Sequence, residues 1–201
     1  MIQKLTPIGF KEGWDETGNE CRVAYFYQDA VTCKPLLQLD RMLSQKFDTE
    51  IEFDATWWRF KFLQDELILS LAAHTAAKAD LIVFATYAHL EVTPELQMLN
   101  KIWLKQRAGR PNGLLSLLQC HEGQSGGATP MHLYLKEVAS LAQMDFLSRW
   151  VLIGEDAPDA PAITVDDLRI PGVVAGSAEA IGPGPAADPP LRPPVHWGLN
   201  E

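Results

Sequence analysis

The chain has few cysteines, no long apolar run, no basic stripe and no glycine-rich phosphate loop. Cys21, Cys33 and Cys120 are three in 201 residues and form no CxxC pair. Neither a disulfide framework nor a thiolate cluster is therefore written into the sequence, and a reducing cytoplasm is the expected compartment. No segment approaches the roughly 18 apolar residues of a membrane span, and the opening stretch MIQKLTPIGF lacks a secretory apolar region. A formal net charge of −9 with no clustered Lys and Arg excludes general nucleic-acid binding, which needs cations to neutralise phosphates. The same balance disfavours anionic membrane surfaces. A protein partner or self-association is the interaction left open. Hydrophobic residues at 47% and charged residues at 21% suit one globular core, and the length is too short for two comfortable ones.

What is present is organised around Asp80–Tyr87, DLIVFATY. So short and continuously apolar a run is a strand buried on both faces, at the centre of a parallel sheet. Before it, Cys21–Tyr27 (CRVAYFY) makes a first strand from β-forming residues. Leu36, Leu39, Leu43 and Phe47, joined by Met42, then recur at helical spacing, with Asp29 or Thr32 as cap and Pro35 in the first turn. In TEIEFDATWWRF (49–60), Ile51, Phe53, Ala55 and Trp57 alternate with acidic and polar residues, which predicts an edge strand with its acids outward. A helix over 62–79 follows, with Leu63, Leu67 and Leu71 as its stripe and alanines at 72, 73, 76, 77 and 79 for close approach to the sheet.

Beyond the central strand, Thr93-Pro94-Glu95 is a strong helix start: cap, proline at the first helical position, acid in the first turn. Leu96, Leu99, Ile102 and Trp103 give its buried face, and Gly109 with Pro111 stops it. GLLSLLQ (113–119) is a fourth strand. After the loop CHEGQSGGA (120–128), Thr129-Pro130 opens another helix with Met131, Tyr134, Leu135, Val138, Leu141 and Ala142 inward. DFLSRWVLI (145–153) is a fifth strand. The composition then changes: eleven of the fourteen prolines fall at or after residue 111, most of them between 158 and 194. Three regions are expected: an N-terminal arm over 1–20 pinned by Phe10 and Trp14, an α/β domain over 21–154, and a Pro/Gly-rich C-terminal extension over 155–201. Pro-Pro pairs at 189–190 and 193–194 favour polyproline conformation suited to partners, and the final HWGLNE could dock through Trp197.

Five strands alternating with helical crossovers imply a three-layer α/β/α sandwich with a five-stranded parallel sheet, of probable order 2-1-3-4-5. At the level of fold, the body resembles flavodoxins and response-regulator receiver domains. Its Ala-rich helix, ADLIV strand and Trp-bearing Thr-Pro helix are similar to bacterial α/β proteins of this flavodoxin-like kind. In such a sheet, ligands bind beyond the carboxyl ends of the strands, near the switch between strands 1 and 3. The residues expected there are Asp29 and Thr32 after strand 1, Thr86, Tyr87, His89 and Glu91 at strand 3, and Gln119, His121 and Ser125 at strand 4.

Each chemistry open to that edge has a requirement. Receiver phosphotransfer needs an Asp at the end of strand 3 and a Lys after strand 5, where this chain has Thr86-Tyr87 and only Arg149 mid-strand. A flavodoxin-like FMN site needs glycine and hydroxyls after strand 1, where Asp29–Lys34 has one hydroxyl, no Gly, and an acid that repels phosphate. A flavin ring against Tyr87, or a nucleotide, remains the cofactor this edge could take, with the glycines of 125–128 as a second loop. Cys33 near a helix start could have a lowered pKa, whereas Cys120 and His121 are adjacent and point apart. Cys33, Cys120, His89 and His121 lack a metal-site spacing. His74 and His132 read as surface or capping residues. Glycosidic hydrolysis of the TIR-like or deoxyribosyltransferase-like kind would need Asp29, Glu91 or Glu122 as its carboxylate, and nothing selects among them. The leading expectation is therefore a non-catalytic regulatory or protein-interaction module on a receiver-like scaffold. A flavin- or nucleotide-binding protein is the alternative.

Overall fold

The computed structural model describes residues 20–47, 51–107, 112–121 and 128–153. In chain order these form β1 (Glu20–Tyr27), α1 (Ala30–Phe47), β2 (Glu52–Arg59), a 3-10 turn (Phe60–Gln64), α2 (Glu66–Lys78), β3 (Leu81–Tyr87), α3 (Pro94–Gln106), β4 (Gly113–Cys120), α4 (Pro130–Leu141) and β5 (Asp145–Leu152). All strand pairs are parallel, in the order β2-β1-β3-β4-β5. This is the flavodoxin-like arrangement. The expected N-terminal arm with Phe10 and Trp14, the Gly109-Pro111 stop, the loop with Glu122 and Ser125, and the C-terminal extension with Trp197 lie outside the described residues.

Strand alternation divides the core in two. Tyr25, Val83, Ala85, Leu115 and Leu117 pack with Leu36, Leu39 and Leu43 of α1 on one face. Phe26, Ile82, Phe84, Leu114 and Leu118 pack with α2, α3 and α4 on the other. β3, β1 and β4 are buried along almost their whole length, as a doubly covered parallel sheet requires. β2 is an edge strand with Glu52 and Asp54 exposed, as its alternation predicts. Trp57 stacks on Tyr25 at 4.2 Å on the α1 side, while Trp58 packs on the opposite face.

Two helices depart from the expected pattern. The segment over 62–79 is not one helix: a 3-10 turn ends at Gln64, and Asp65 restarts the chain as the cap of α2, accepting from the N–H groups of Leu67 and Ile68. That cap fixes the phase of α2 so that Ala72, Ala73 and Ala76, all fully buried, face the sheet. Leu67 and Leu71 lie opposite them and are 70% and 53% exposed, so they are not its buried stripe. The small side wins because α2 is wedged between the sheet and α3, where only methyl groups fit. In α4, Met131, Leu135, Val138 and Ala139 are buried, but Leu141 is exposed. Phase again decides, with Ala139 one turn after Leu135 taking the inward place.

α1 begins at Ala30, directly after Asp29, the first of the two expected caps, and Pro35 lies inside it beyond the first turn. A proline there cannot donate to the carbonyl one turn earlier, which is that of Val31. Gln119, at the carboxyl end of β4, donates its Nε2 to that same Val31 carbonyl at 3.1 Å. The gap that Pro35 opens in α1 is closed from the sheet.

Candidate functional site

The carboxyl edge of β1, β3 and β4 is built from the β1–α1 junction outward. Only Gln28 and Asp29 separate the strand from the helix. Asp29 caps α1, its Oδ1 accepting from the backbone N–H groups of Val31 and Thr32, both at 3.0 Å. Thr32 reciprocates, its Oγ1 accepting from the N–H groups of Gln28 at 3.0 Å and Asp29 at 2.9 Å. The second carboxylate oxygen of Asp29 accepts from the Tyr87 hydroxyl at 2.9 Å, which ties β1 to the end of β3. Burial alone would raise the Asp29 carboxyl, but the hydrogen bonds from Thr32, Tyr87 and Val31 outweigh it and hold it below the ordinary carboxylate range. Burial and the same hydrogen bond to Asp29 push the Tyr87 hydroxyl up. The pair is therefore a carboxylate and a neutral phenol.

Of the predicted site residues, Asp29, Thr32 and Tyr87 form this network, and Gln119 joins it through the Val31 carbonyl. His89 is exposed and tilts its ring against Tyr87, with centroids 5.9 Å apart. Thr86 does not join. It is fully buried and points to the α2–α3 side of the sheet, while Tyr87 points to the α1 side with Asp29, because successive strand residues face opposite ways. Glu91 and His121 are exposed, and Ser125 lies outside the described residues. Two buried oxygens at this edge have no protein partner, the Thr86 hydroxyl and the Gln119 Oε1.

The donors that would hold a phosphate at the start of α1 are occupied. An anion there needs free backbone N–H groups at the helix N-terminus, and those of Gln28, Asp29, Val31 and Thr32 all point at the side chains of Asp29 or Thr32. A carboxylate sits where the phosphate charge would go. The β1–α1 junction thus does not fit the phosphate of FMN or of a nucleotide. Cys33, whose place near a helix start left a lowered pKa open, instead has its pKa raised by burial. Burial also raises Cys120 and pushes Cys21 up to about 12, with Asp80 nearby adding to it. Among the described residues no group of three His, Cys, Asp or Glu side chains is placed to hold a metal ion, and no helix is long and apolar enough to cross a membrane.

Sequence reasoning missed one cluster. His132, expected in a solvated or capping role, is half-buried between α4 and β5. Its ring stacks on Trp150 at 6.3 Å and meets the Phe146 ring edge-on at 5.6 Å. Its Nδ1 lies 3.1 Å from the Ser148 Oγ, which in turn lies 3.4 Å from the Ser116 Oγ. Phe146, Ser148 and Trp150 alternate along β5, so the period of that strand was the signal for a shared face. Burial, with Lys136 one turn away, lowers the His132 pKa.

No family model matches the chain, and no curated protein matches it. Among solved structures it is similar to a flavo di-iron protein from Thermotoga maritima, at 11% identity and a TM-score of 0.44, over 72% of this chain and 33% of that one. It therefore spans about a third of the length of that protein. It is also similar to an oxidoreductase from Corynebacterium diphtheriae, at 13% identity and a TM-score of 0.47, over 69% of this chain and 87% of that one. A third likeness is to drICE, at 16% identity and a TM-score of 0.28, over 68% of this chain and 63% of that one. Likenesses this distant concern the layout of strands and helices, and no chemistry is carried over from them.

Proposed function

We propose that the protein is a non-catalytic regulatory or protein-interaction module on a receiver-like scaffold, and that its contact surface is the outward side of α2, α3 and α4. The observation that carries this reading is the stripe of Leu67 and Leu71, 70% and 53% exposed, one turn apart on α2 and opposite its buried alanines. Single exposed leucines are ordinary on a protein surface. A pair in register on one helix face is the pattern by which helices dock on partners. The same layer turns Met98 of α3 and Leu133 of α4 outward, at 48% and 53% exposed. Lys78, Lys101, Lys105 and Lys136 are exposed on these three helices together with Glu66 and Glu137, so the apolar stripe is rimmed by charges of both signs. The test compares proximity labelling by the full chain with that by a Leu67→Glu/Leu71→Glu variant, alongside sedimentation of both over a concentration series. Partners or self-association lost in the variant, and retained when Leu37 on α1 is changed to Glu, are the expected result. Identical labelling and identical sedimentation would sink the reading.

A second reading, flavin or nucleotide binding at the strand ends, is favoured by the unpartnered Oε1 of Gln119, the residue that pairs with Tyr87 across the β3–β4 ladder, beside the ring contact of Tyr87 and His89. It is opposed by the carboxylate in the phosphate position. Titration with FMN and with riboflavin, followed by flavin fluorescence, separates the two readings. Saturable quenching that disappears in Tyr87→Ala would replace the interaction module with a flavin protein.

A further inference from the structure

The sheet has two edges, β2 and β5, and they are finished differently. β2 carries exposed Glu52 and Asp54, charges that keep another strand away. β5 has no lysine, no proline and no bulge: its eight residues run in unbroken register with β4. Backbone groups alternate between the two sides of a strand. The N–H groups of Asp145 and Ile153 turn inward, to the carbonyls of Asn112 and Cys120, so the odd-numbered residues of β5 face β4. The N–H and C=O groups of Phe146, Ser148 and Trp150 therefore face out, and among the described residues no strand pairs with them. Phe146, Trp150 and Val151 are half-buried, and Leu152 is 43% exposed. A long, regular, apolar edge of this kind is a template for a further strand.

We propose that β5 pairs antiparallel with β5 of a second copy, about a two-fold axis at Ser148, and joins the two sheets into one. A second copy is the occupant because β5 is complementary to itself. Antiparallel pairing keeps each face of the joined sheet continuous only if odd residues oppose odd and even oppose even. With Ser148 opposite Ser148, Phe146 lies opposite Trp150 on both sides of the axis, an aromatic pair that stabilises a sheet. Asp145 then sits diagonal to Arg149 of the second copy, within reach of so long a side chain. Centring the pair on Arg149 instead would set like charges directly opposite. Centring it on Leu147 would leave Trp150, Val151 and Leu152 beyond the end of the other strand. In the Ser148 register the outward N–H and C=O groups of Phe146, Ser148 and Trp150 all find counterparts. α4 packs on β4 and β5, so its two copies come two strand spacings, or about 10 Å, apart, which is the spacing of packed helices. α2 packs on β1, three strand steps from this edge. The pairing therefore leaves Leu67 and Leu71 uncovered and stands or falls separately from their contact surface.

The test is double electron–electron resonance on the full chain, with a nitroxide on Leu152→Cys in a Cys33→Ser background; Cys21 and Cys120 are buried. Leu152 falls opposite Met144 in the proposed register, so the two labelled Cα atoms should lie about 27 Å apart, at about 3.4 Å per residue. A distance of about 20 Å or about 34 Å, which the Arg149 and Leu147 registers give, overturns the assignment, as does the absence of any dipolar signal. Sedimentation over a concentration series should show a dimer that survives Leu67→Glu/Leu71→Glu and also Ser148→Ala, which keeps the backbone N–H. Ser148→Pro removes an N–H that the β4 ladder does not use, and should weaken the dimer by about tenfold or more with the circular dichroism unchanged. A dimer that Ser148→Pro leaves intact, or that the leucine changes dissolve, refutes the pairing. Should Ser148→Pro unfold the chain, the distance measurement decides by itself.

Discussion

Asp29 decides between the two functional readings, because a structural cap and a group held for chemistry respond oppositely to removal. As a cap it satisfies the N–H groups of Val31 and Thr32 and also accepts the Tyr87 hydroxyl. Loss of an N-cap costs about 1 kcal/mol, and loss of a side-chain hydrogen bond to a half-exposed carboxylate about 1 kcal/mol more. Asp29→Ala is therefore expected to lower the stability of the domain by about 2 kcal/mol, a fall in Tm of about 6–8 °C at this size. Asp29→Asn keeps the acceptor for the cap and should lose less than half of that. The pH dependence supplies a second reading of the same bond. The folded carboxyl is held below its ordinary value of 3.8, so its contribution is fully present above that pH and is lost as pH falls through the lowered folded value. The gap between wild type and Asp29→Ala should therefore be constant from neutral pH down to about 4 and close below it. Urea denaturation followed by circular dichroism across that range measures both quantities. If Asp29→Ala is as stable as wild type, or more so, the carboxylate is held at a cost to the fold. That is the mark of a functional group, and the interaction reading would have to yield.

Gln119→Leu should cost about 1–2 kcal/mol by leaving the Val31 carbonyl unpaired; in a Pro35→Ala background, where a backbone N–H returns to that carbonyl, the cost should shrink, and a double-mutant cycle in denaturant measures the coupling. His132 is held neutral in the fold, its pKa lowered from 6.5, so stability should be complete above that pH and decline as pH falls through it toward the folded value. His132→Phe should lack that slope in thermal melts run from pH 8 to pH 5. Ala73→Leu, on the fully buried side of α2, should cost about 1–3 kcal/mol by overpacking. Leu67→Glu, on the exposed side, should change stability by no more than about 0.5 kcal/mol in the same assay.

The fold was legible because each strand announced itself locally. DLIVFATY is too short for a helix and too apolar for an edge, and the Thr-Pro starts of α3 and α4 have one strong local solution each. Both caps are present, with Thr93 accepting from Leu96 and Thr129 from His132. The phase of α2 was not legible. Its leucines and its alanines both recur at helical spacing, and only the narrow gap between the sheet and α3 selects the alanines. The start of α1 was legible as a choice between Asp29 and Thr32 as caps, and the structure takes Asp29; Pro35 reads locally as a first-turn residue, yet it lies deeper in the helix. Its true place depends on a glutamine 84 positions later in the sequence, a contact that no window of residues contains. At the site, strand position was enough to gather Asp29, Thr32, Tyr87 and Gln119, and alternation would have set Thr86 apart. The roles of those residues were not written locally, because the bond from Tyr87 to Asp29 spans 58 positions.

That bond also bears on how this edge came to lack a phosphate cradle. A parallel sheet of this order presents helix N-termini and strand ends along one rim, and a ligand site there requires a loop long enough to leave backbone N–H groups free. Here only Gln28 and Asp29 separate α1 from β1, and the capping Asp29 occupies the N–H groups of Val31 and Thr32 at the helix start. Tyr87 then seals the carboxylate from the β3 side, and Gln119 seals the Val31 carbonyl of the helix from the β4 side. Three strands thus contribute one side chain each to closing the place where a ligand would enter. On the proposed interaction reading such closure is useful, because the rim holds β1, β3 and β4 in register while Leu67, Leu71, Met98 and Leu133 stay exposed on α2, α3 and α4.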